Sequence, residues 1–83
     1  MLFRSVSAAE LDDAVAKLAA KLAARPPVAL RLGKEAINNG AQTDLRTGLE
    51  IEAKCFALCF GTEDKQEGME AFLEKRKPNF KGR

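Results

Sequence analysis

The sequence predicts an all-α fold of four helices within a single domain. With 83 residues, the chain has length for one domain and only a marginal hydrophobic core. Its apolar content is mostly alanine and leucine, and its aromatic content is five Phe without Trp or Tyr, which favours helices over sheets. Apolar residues also recur at three- and four-residue steps between breaks rich in Pro, Gly and Asn. We expect residues 1–6 to form a short extended segment that must dock on another element to be stable.

The first predicted helix runs from about Ala8 to Ala24. Ser7 and Glu10 have the spacing of a capping box, in which each side chain binds a backbone N–H of the other residue. Four large apolar residues then recur on one face and form a stripe that alanines widen: Leu11, Val15, Leu18 and Leu22. We call this predicted helix α1 and these four residues the α1 stripe.

The second predicted helix runs from about Pro27 to Asn39. The pair Pro26-Pro27 interrupts the chain, because proline is accepted only in the first turn of a helix. Asn39 followed by Gly40 predicts a left-handed cap at its end. Gly33 in mid-helix is less favourable than alanine by about 1 kcal/mol. It indicates either the close approach of another backbone or a glycine without a special role.

The third predicted helix runs from about Asp44 to Phe60 and is the longest. Thr43 or Asp44 can cap its first turn. Its second half, Cys55 to Phe60, reads CFALCF and is apolar nearly all round. A helix without a polar face must be covered on several sides, and a chain this short offers few elements to cover it. The sequence therefore predicts a homo-oligomer.

The fourth predicted helix runs from about Asp64 to Lys75. Either Asp64 and Glu67 form a second capping box, or Thr62 caps the helix instead. Cations are predicted in the last turn, where they oppose the negative end of the helix dipole, and a proline then enforces the stop. These residues are Lys75, Arg76, Lys77 and Pro78.

The charge balance argues against nucleic acid as a partner. Fourteen basic and 12 acidic residues give a formal net charge of +2. The basic excess is local, since Lys75 to Arg83 contains five cations and no acid. This segment is interpreted either as a solvated, frayed tail or as an end that faces phosphate groups. A nucleic-acid binder is the weaker alternative, because aromatic and basic residues are not interleaved over a surface.

No apolar run has the length of a signal peptide or a membrane span, so we expect a soluble cytoplasmic protein without a membrane partner.

The sequence offers no recognisable catalytic or metal site. It has no histidine, and neither a Ser or Cys beside a base nor a glycine-rich phosphate loop is present. Glu50 and Glu52 are two residues apart and point away from each other on a helix, so they do not form an acid/base pair. Cys55 and Cys59 could be a redox pair or half of a metal site, but buried thiols packing as small apolar groups are the favoured interpretation.

The segment from Gly61 to Phe80 resembles the C-terminal end of the enoyl-CoA hydratase/isomerase (crotonase) superfamily. The resemblance rests on an ordered series of elements and extends, less strongly, over Val6 to Phe80. The elements are Thr62, Asp64, Glu67-Gly68-Met69, Ala71-Phe72, Glu74-Lys75-Arg76, Pro78 and Phe80.

The resemblance implies a fold and a function. Family members hydrate or isomerise enoyl-CoA thioesters in fatty acid metabolism, with an oxyanion hole and catalytic glutamates in a spiral core that this chain lacks. We therefore expect a C-terminal helical fragment, with an opening like a truncated or restarted end, that is inactive alone and has no catalytic residue. The motif AF-x-x-KR implies that Phe72 and Lys75 contact coenzyme A, which is part of the substrate rather than a separate cofactor. The alternatives are that Phe72 is a core residue and that Lys75 opposes the helix dipole. Arg76 beside them could serve structurally. The alternative is a self-associating helical assembly protein without a ligand.

Overall fold

The computed structural model describes residues 4–83, and within that range it shows four α-helices and no strand. The helices are α1 (Leu11–Ala23), α2 (Pro27–Gly40), α3 (Leu45–Phe60) and α4 (Glu63–Glu74), and a short 3-10 helix, Ala8–Glu10, precedes α1. The all-α fold class is confirmed. Half of the predicted N-terminal extended segment, residues 1–3, lies outside the described residues. Residues 4–7 have no regular secondary structure.

The predicted capping box at the start of α1 is wrong. Ser7 has the extended backbone of a cap residue, but its side chain makes no capping hydrogen bond. The donor that the box requires is already in use, because the backbone N–H of Glu10 donates to the backbone carbonyl of Ser7 at 3.0 Å. The chain therefore enters α1 through a 3-10 turn, and α1 begins three residues later than predicted.

Helices α2 and α3 pack against each other as a hairpin and carry most of the small core. Leu32 of α2 and Cys55 of α3 are buried. Asp44 caps α3, since its carboxylate accepts the backbone N–H of Thr47 at 3.0 Å. The two backbones come closest near the turn between them. A Cβ atom added to Gly48 would lie 3.3 Å from the carbonyl oxygen of Gly40 and 3.4 Å from its Cα atom.

The structure selects the second alternative for Gly33, a glycine without a close backbone neighbour, and contradicts the predicted left-handed cap at the end of α2. A Cβ atom at Gly33 would meet nothing within 4 Å among the described residues, so no backbone of this chain approaches there. Gly40 does not form a left-handed cap. It is the last residue of α2, and Ala41 after it has right-handed backbone with φ of −69°. Close packing does not require a glycine at position 40 either, because an added Cβ atom would lie 3.8 Å from the Cα atom of Gly48, an ordinary van der Waals distance.

Much of the apolar surface of the described chain is left uncovered. The α1 stripe is 51–59% exposed, and Phe56 is 65% exposed. The molecule measures 42 × 39 × 18 Å, and its radius of gyration of 15.9 Å exceeds the value of about 12 Å for a compact domain of this length. Within the single chain the segment Cys55 to Phe60 is covered on few sides, as expected for a chain this short, and the homo-oligomer stays a prediction. No helix among the described residues has the length and apolarity to cross a membrane.

Candidate functional site

The start of α4 is fixed by Thr62. Its Oγ1 atom accepts the backbone N–H of Lys65 at 3.1 Å and donates to the backbone carbonyl of Cys59 at 2.7 Å. One hydroxyl thereby caps α4 and ties it to the end of α3. Of the two capping alternatives that the sequence left open, the structure selects Thr62.

Asp64, in the first turn of α4, anchors the end of the chain. Its side chain is 2% exposed, and its two carboxylate oxygens accept the backbone N–H groups of Lys81 at 2.7 Å and Gly82 at 2.8 Å. Its own backbone N–H donates to the carbonyl of Arg83 at 2.9 Å. Gly82 has φ of 81°, a conformation that glycine adopts without strain. The segment after α4 therefore folds back over the start of α4.

Glu67 holds the same segment one turn further along α4. Its carboxylate accepts hydrogen bonds from Arg76 Nη1 at 2.6 Å and Nη2 at 3.1 Å, and from the backbone N–H of Asn79 at 3.0 Å. The hydrogen bond from Arg76, followed by that from Asn79, lowers the pKa of Glu67 from its ordinary 4.5 to about 2. Glu67 also raises the pKa of Arg76, with a smaller contribution from Glu74. We call Asp64, Glu67 and the residues they hold, 76–83, the tail anchor.

The tail anchor argues against the first of the two interpretations of the basic segment, the frayed tail. Arg76 pairs with Glu67 and Glu74, and Arg83 pairs with Glu63 at 2.7 Å. Residues 76–83 are therefore bound to α4 rather than forming a frayed tail. Sequence analysis missed this arrangement. The partners of Asp64 are backbone N–H groups 17 and 18 residues away, and a backbone N–H does not depend on the type of residue that carries it.

The predicted placement of cations in the last turn of α4 is wrong. The helix ends at Glu74, and Lys75 follows with left-handed backbone, φ 56° and ψ 40°. The N–H of Arg76 donates to the carbonyl of Ala71 at 3.0 Å and that of Lys75 to Phe72 at 3.3 Å, which is the Schellman pattern. The cations thus lie just beyond the C-terminus of α4, which is the negative end of the helix dipole.

The two residues predicted to contact coenzyme A lie close together at the end of α4. Phe72 has helical backbone, and Lys75 has left-handed backbone. Phe72 lies on α4 and is 84% exposed, so it is not a core residue of this chain. It borders an apolar hollow of about 400 Å³ between α4 and Phe80. Lys75 is exposed at the helix end. Lys75 does not continue the helix face on which Phe72 lies, because its backbone is left-handed and follows the last residue of α4.

The remaining candidates for chemistry form no cluster in the described part of the chain. Cys55 is buried and Cys59 is partly buried, and both are free thiols. Residues 4–83 contain no group of three or more His, Cys, Asp or Glu side chains that could hold a metal ion. The carboxylates of Asp64 and Glu67 are occupied by the tail anchor.

Comparison with known proteins gives the family. The model of the enoyl-CoA hydratase/isomerase family matches residues 1–83, the whole sequence. The chain therefore belongs to the enoyl-CoA hydratase/isomerase family, as the motifs from Thr62 to Phe80 predicted.

Three relatives show what fraction of a family member's length this chain covers. The chain is 51% identical over 71 residues to the crotonyl-CoA hydratase of Syntrophomonas wolfei, covering 86% of this chain and 27% of that protein. It is 44% identical over 79 residues to the short-chain-enoyl-CoA hydratase of Clostridium acetobutylicum, covering 94% of this chain and 30% of that protein. The crystal structure of an enoyl-CoA hydratase from Bacillus anthracis superposes with a TM-score of 0.90 at 44% identity, over 94% of this chain and 30% of the other. The chain thus spans less than a third of these relatives.

Proposed function

We propose that this chain forms a helical part of an enoyl-CoA hydratase/isomerase assembly that contacts the coenzyme A portion of an acyl-CoA thioester. In this proposal α4 and Lys75 meet the nucleotide end of coenzyme A, and the exposed apolar faces of the other helices pack against further subunits. The parent reaction would be the hydration or isomerisation of enoyl-CoA in fatty acid metabolism, a lyase or isomerase activity in which this part has no catalytic group. The cytoplasmic location expected from the sequence belongs to the same proposal.

The observation that carries the proposal is the left-handed backbone of Lys75. Glycine is the usual residue at this position of a Schellman motif, and a side chain there costs about 1–2 kcal/mol. Strained residues concentrate at ligand-binding sites, where a particular side chain has to be held in place. The strained residue is also the lysine that the motif AF-x-x-KR assigns to coenzyme A.

Charge and exposure around Lys75 support the same conclusion. Among the five cations from Lys75 to Arg83, both arginines are paired with carboxylates, whereas the three lysines make no ion pair within residues 4–83. An ammonium group can meet a phosphate as a point charge, and an exposed aromatic ring can stack on adenine for about 1–3 kcal/mol. Lys75 and Phe72 supply these two groups at the end of one helix.

Titration of the full chain with coenzyme A, followed by NMR of the backbone amides, tests the proposal. With two modest contacts, we expect a dissociation constant of about 1 mM, with the largest shifts around Phe72 to Lys77. Lys75→Gly separates binding from stability. It removes the backbone strain and should raise the free energy of unfolding by about 1 kcal/mol. It should also weaken binding about tenfold.

Lys77→Ala is the matched control, because it removes a neighbouring lysine that the motif does not assign to coenzyme A. It should leave the dissociation constant within about twofold. Equal weakening by both variants would indicate general attraction to a basic segment. Unchanged binding in Lys75→Gly and Phe72→Ala would contradict the proposed site.

The uncovered α1 stripe favours a second candidate, a self-associating helical protein without a ligand. Light scattering coupled to size-exclusion chromatography, together with the coenzyme A titration, separates the two functions. An oligomer that does not bind coenzyme A would favour the second candidate.

A further inference from the structure

The left-handed backbone of Lys75 requires support from the residues around it. A residue with a Cβ atom is disfavoured in this conformation, which persists only where the surrounding structure leaves the chain no alternative. Two hydrogen bonds of the Schellman turn join the N–H of Lys75 to the carbonyl of Phe72 and the N–H of Arg76 to that of Ala71. Such bonds occur in any turn of this type, and the left-handed position is usually a glycine. A lysine there therefore depends on further contacts.

Glu67 supplies these contacts from within α4. Its carboxylate accepts Arg76 Nη1 at 2.6 Å and Nη2 at 3.1 Å, and it also accepts the backbone N–H of Asn79 at 3.0 Å. A bidentate pair of a guanidinium and a carboxylate is both strong and directional. One carboxylate thus holds the chain at the residue directly after Lys75 and again at Asn79.

The residues on both sides of Lys75 are joined by one guanidinium group. Glu74, directly before Lys75, accepts Arg76 Nε at 2.6 Å, while Glu67 accepts the two Nη atoms. Pro78 restricts the backbone of the residue before it, which stiffens the short path from Arg76 onward. Lys75 itself makes no ion pair within residues 4–83. Its backbone is therefore held while its ammonium group has no carboxylate partner in the described chain.

We infer that Glu67 is a positioning residue for the ligand site and sets how strongly Lys75 contacts a phosphate group of coenzyme A. The inference rests on the proposed function and goes further, because it gives a residue that does not touch the ligand a part in the affinity. Without the carboxylate of Glu67, the turn can relax to a right-handed or extended backbone, which turns the lysine side chain elsewhere. The apparent affinity then falls with the fraction of molecules that keep the competent conformation.

Charge alone predicts the opposite effect of removing Glu67. Coenzyme A carries phosphate groups, so a nearby carboxylate repels it. Deleting the carboxylate would also free Arg76 from its bidentate partner and add to the attraction. A purely electrostatic role therefore predicts tighter binding, whereas a positioning role predicts weaker binding. The direction of the change separates the two.

Titration of the full chain with coenzyme A at constant ionic strength tests the inference, with Glu67→Ala as the variant and Glu70→Ala as the matched control. Glu70 is exposed on α4, accepts a hydrogen bond from the side chain of Gln66 at 2.7 Å and takes no part in the tail anchor. Both variants remove one negative charge from the same helix. We expect Glu67→Ala to raise the dissociation constant about fivefold, and Glu70→Ala to leave it within about twofold of the wild type.

A double-mutant cycle shows whether Glu67 acts through Lys75. In Lys75→Ala the group that Glu67 positions is absent, so the addition of Glu67→Ala should change the dissociation constant by less than about twofold. Independent contributions would instead give the same fivefold change in both backgrounds.

Glu67→Gln provides a conservative variant for the same titration. Its carbonyl oxygen still accepts the N–H of Asn79, but its contact with Arg76 is no longer a charged pair. We expect its affinity to lie between that of the wild type and that of Glu67→Ala. If circular dichroism shows that Glu67→Ala loses helix, the comparison with Glu70→Ala is made with Glu67→Gln.

NMR relaxation of the backbone amides measures the positioning without ligand. We expect order parameters of about 0.85 at Lys75 and Asn79 in the wild type, the value of rigid backbone. In Glu67→Ala they should fall below about 0.6, the value of flexible backbone, and in Glu70→Ala they should not change.

Three outcomes would overturn the inference and leave the proposed coenzyme A contact standing. One is a dissociation constant of Glu67→Ala at or below that of the wild type, which would mean that only charge acts. Another is an equal effect of Glu67→Ala in the wild-type and Lys75→Ala backgrounds. The third is an unchanged order parameter at Lys75 in Glu67→Ala. A wild-type chain that does not bind coenzyme A would instead overturn the proposed contact, and the inference with it.

Discussion

Asp64 and Glu67 show at the scale of single residues how backbone donors far along the chain determine the role of a carboxylate. Both sit in the first turns of α4, where carboxylates are favoured by the helix dipole. Their spacing of three predicts a capping box, yet in the structure both accept N–H groups from residues 76–82. The result is that the segment after α4 and the strained Lys75 are held against the helix.

Protonation of Glu67 should release part of the tail anchor at low pH. The pKa of Glu67 is lowered from 4.5 to about 2 in the folded chain, so its contribution to stability is fully present above pH 4.5. That contribution is lost as the pH falls from 4.5 towards 2. The amide of Asn79, which donates to Glu67 Oε1, reports on it directly. We expect its NMR shift to titrate with a midpoint near pH 2.

Glu67→Gln is the control for this titration, because its side chain keeps a carbonyl acceptor but does not titrate. The amide shift of Asn79 in this variant should lack the step near pH 2. A midpoint near pH 4.5 in the wild-type chain would show that Arg76 and Asn79 do not hold the carboxylate in solution.

At the scale of elements, the α2–α3 hairpin explains why two glycines in similar sequence contexts have different roles. Gly48 lies against Gly40, so the two backbones touch where α2 and α3 cross. Gly33 has open space beside it, because it lines an apolar cavity of about 510 Å³ between α2 and α3 and an added Cβ atom would meet nothing within 4 Å. Helical periodicity gives both positions the same appearance, because the distinction depends on which helix lies opposite.

Substituting each glycine by alanine should separate the two roles. Gly33→Ala gains helix propensity without a new contact, and we expect the free energy of unfolding to rise by about 1 kcal/mol. Gly48→Ala has the same propensity gain, but its Cβ atom would meet backbone atoms at 3.3 and 3.4 Å that cannot move aside as a side chain does. It should therefore be less stable than Gly33→Ala by about 1–3 kcal/mol.

Urea unfolding at a concentration at which both variants are monomeric measures this difference, since association would otherwise raise the apparent stability. If Gly48→Ala proved as stable as Gly33→Ala, the close approach of α2 and α3 at Gly40 would be contradicted.

At the scale of the whole molecule, the chain is flat and leaves apolar surface on both α1 and α3. It covers 27–30% of the length of three relatives, and the carboxylates of Asp64 and Glu67 on α4 are engaged in the tail anchor. Covering the exposed faces requires another molecule or another part of a longer protein. The proposed roles in binding and assembly start from these uncovered faces.

These 83 residues alone should not hydrate an enoyl-CoA thioester. General acid/base catalysis needs two groups within reach of the substrate, and no such pair of free carboxylates lies beside Phe72 and Lys75 in residues 4–83. The measurement is the loss of enoyl absorbance after addition of crotonyl-CoA, with a full-length crotonyl-CoA hydratase as the positive control. Turnover above that of buffer would contradict the prediction.

The sequence by itself determined the four helices, their approximate bounds and the family. Local signals suffice for these features, because proline breaks, a cap such as Asp44 and apolar recurrence act over a few residues. It also singled out Phe72 and Lys75, through an ordered motif rather than through geometry.

Only the tertiary structure decided which glycines touch, where the end of the chain is held and which apolar faces remain uncovered. Each of these depends on contacts between residues distant in sequence: Gly40 with Gly48 across a turn, Glu67 with Arg76 around a helix end, and Asp64 with Lys81 over 17 positions. A backbone N–H has no signature in the sequence, and a helix period does not say which helix lies opposite. The folded arrangement alone supplies that information, because it fixes the distances between groups that the chain keeps far apart.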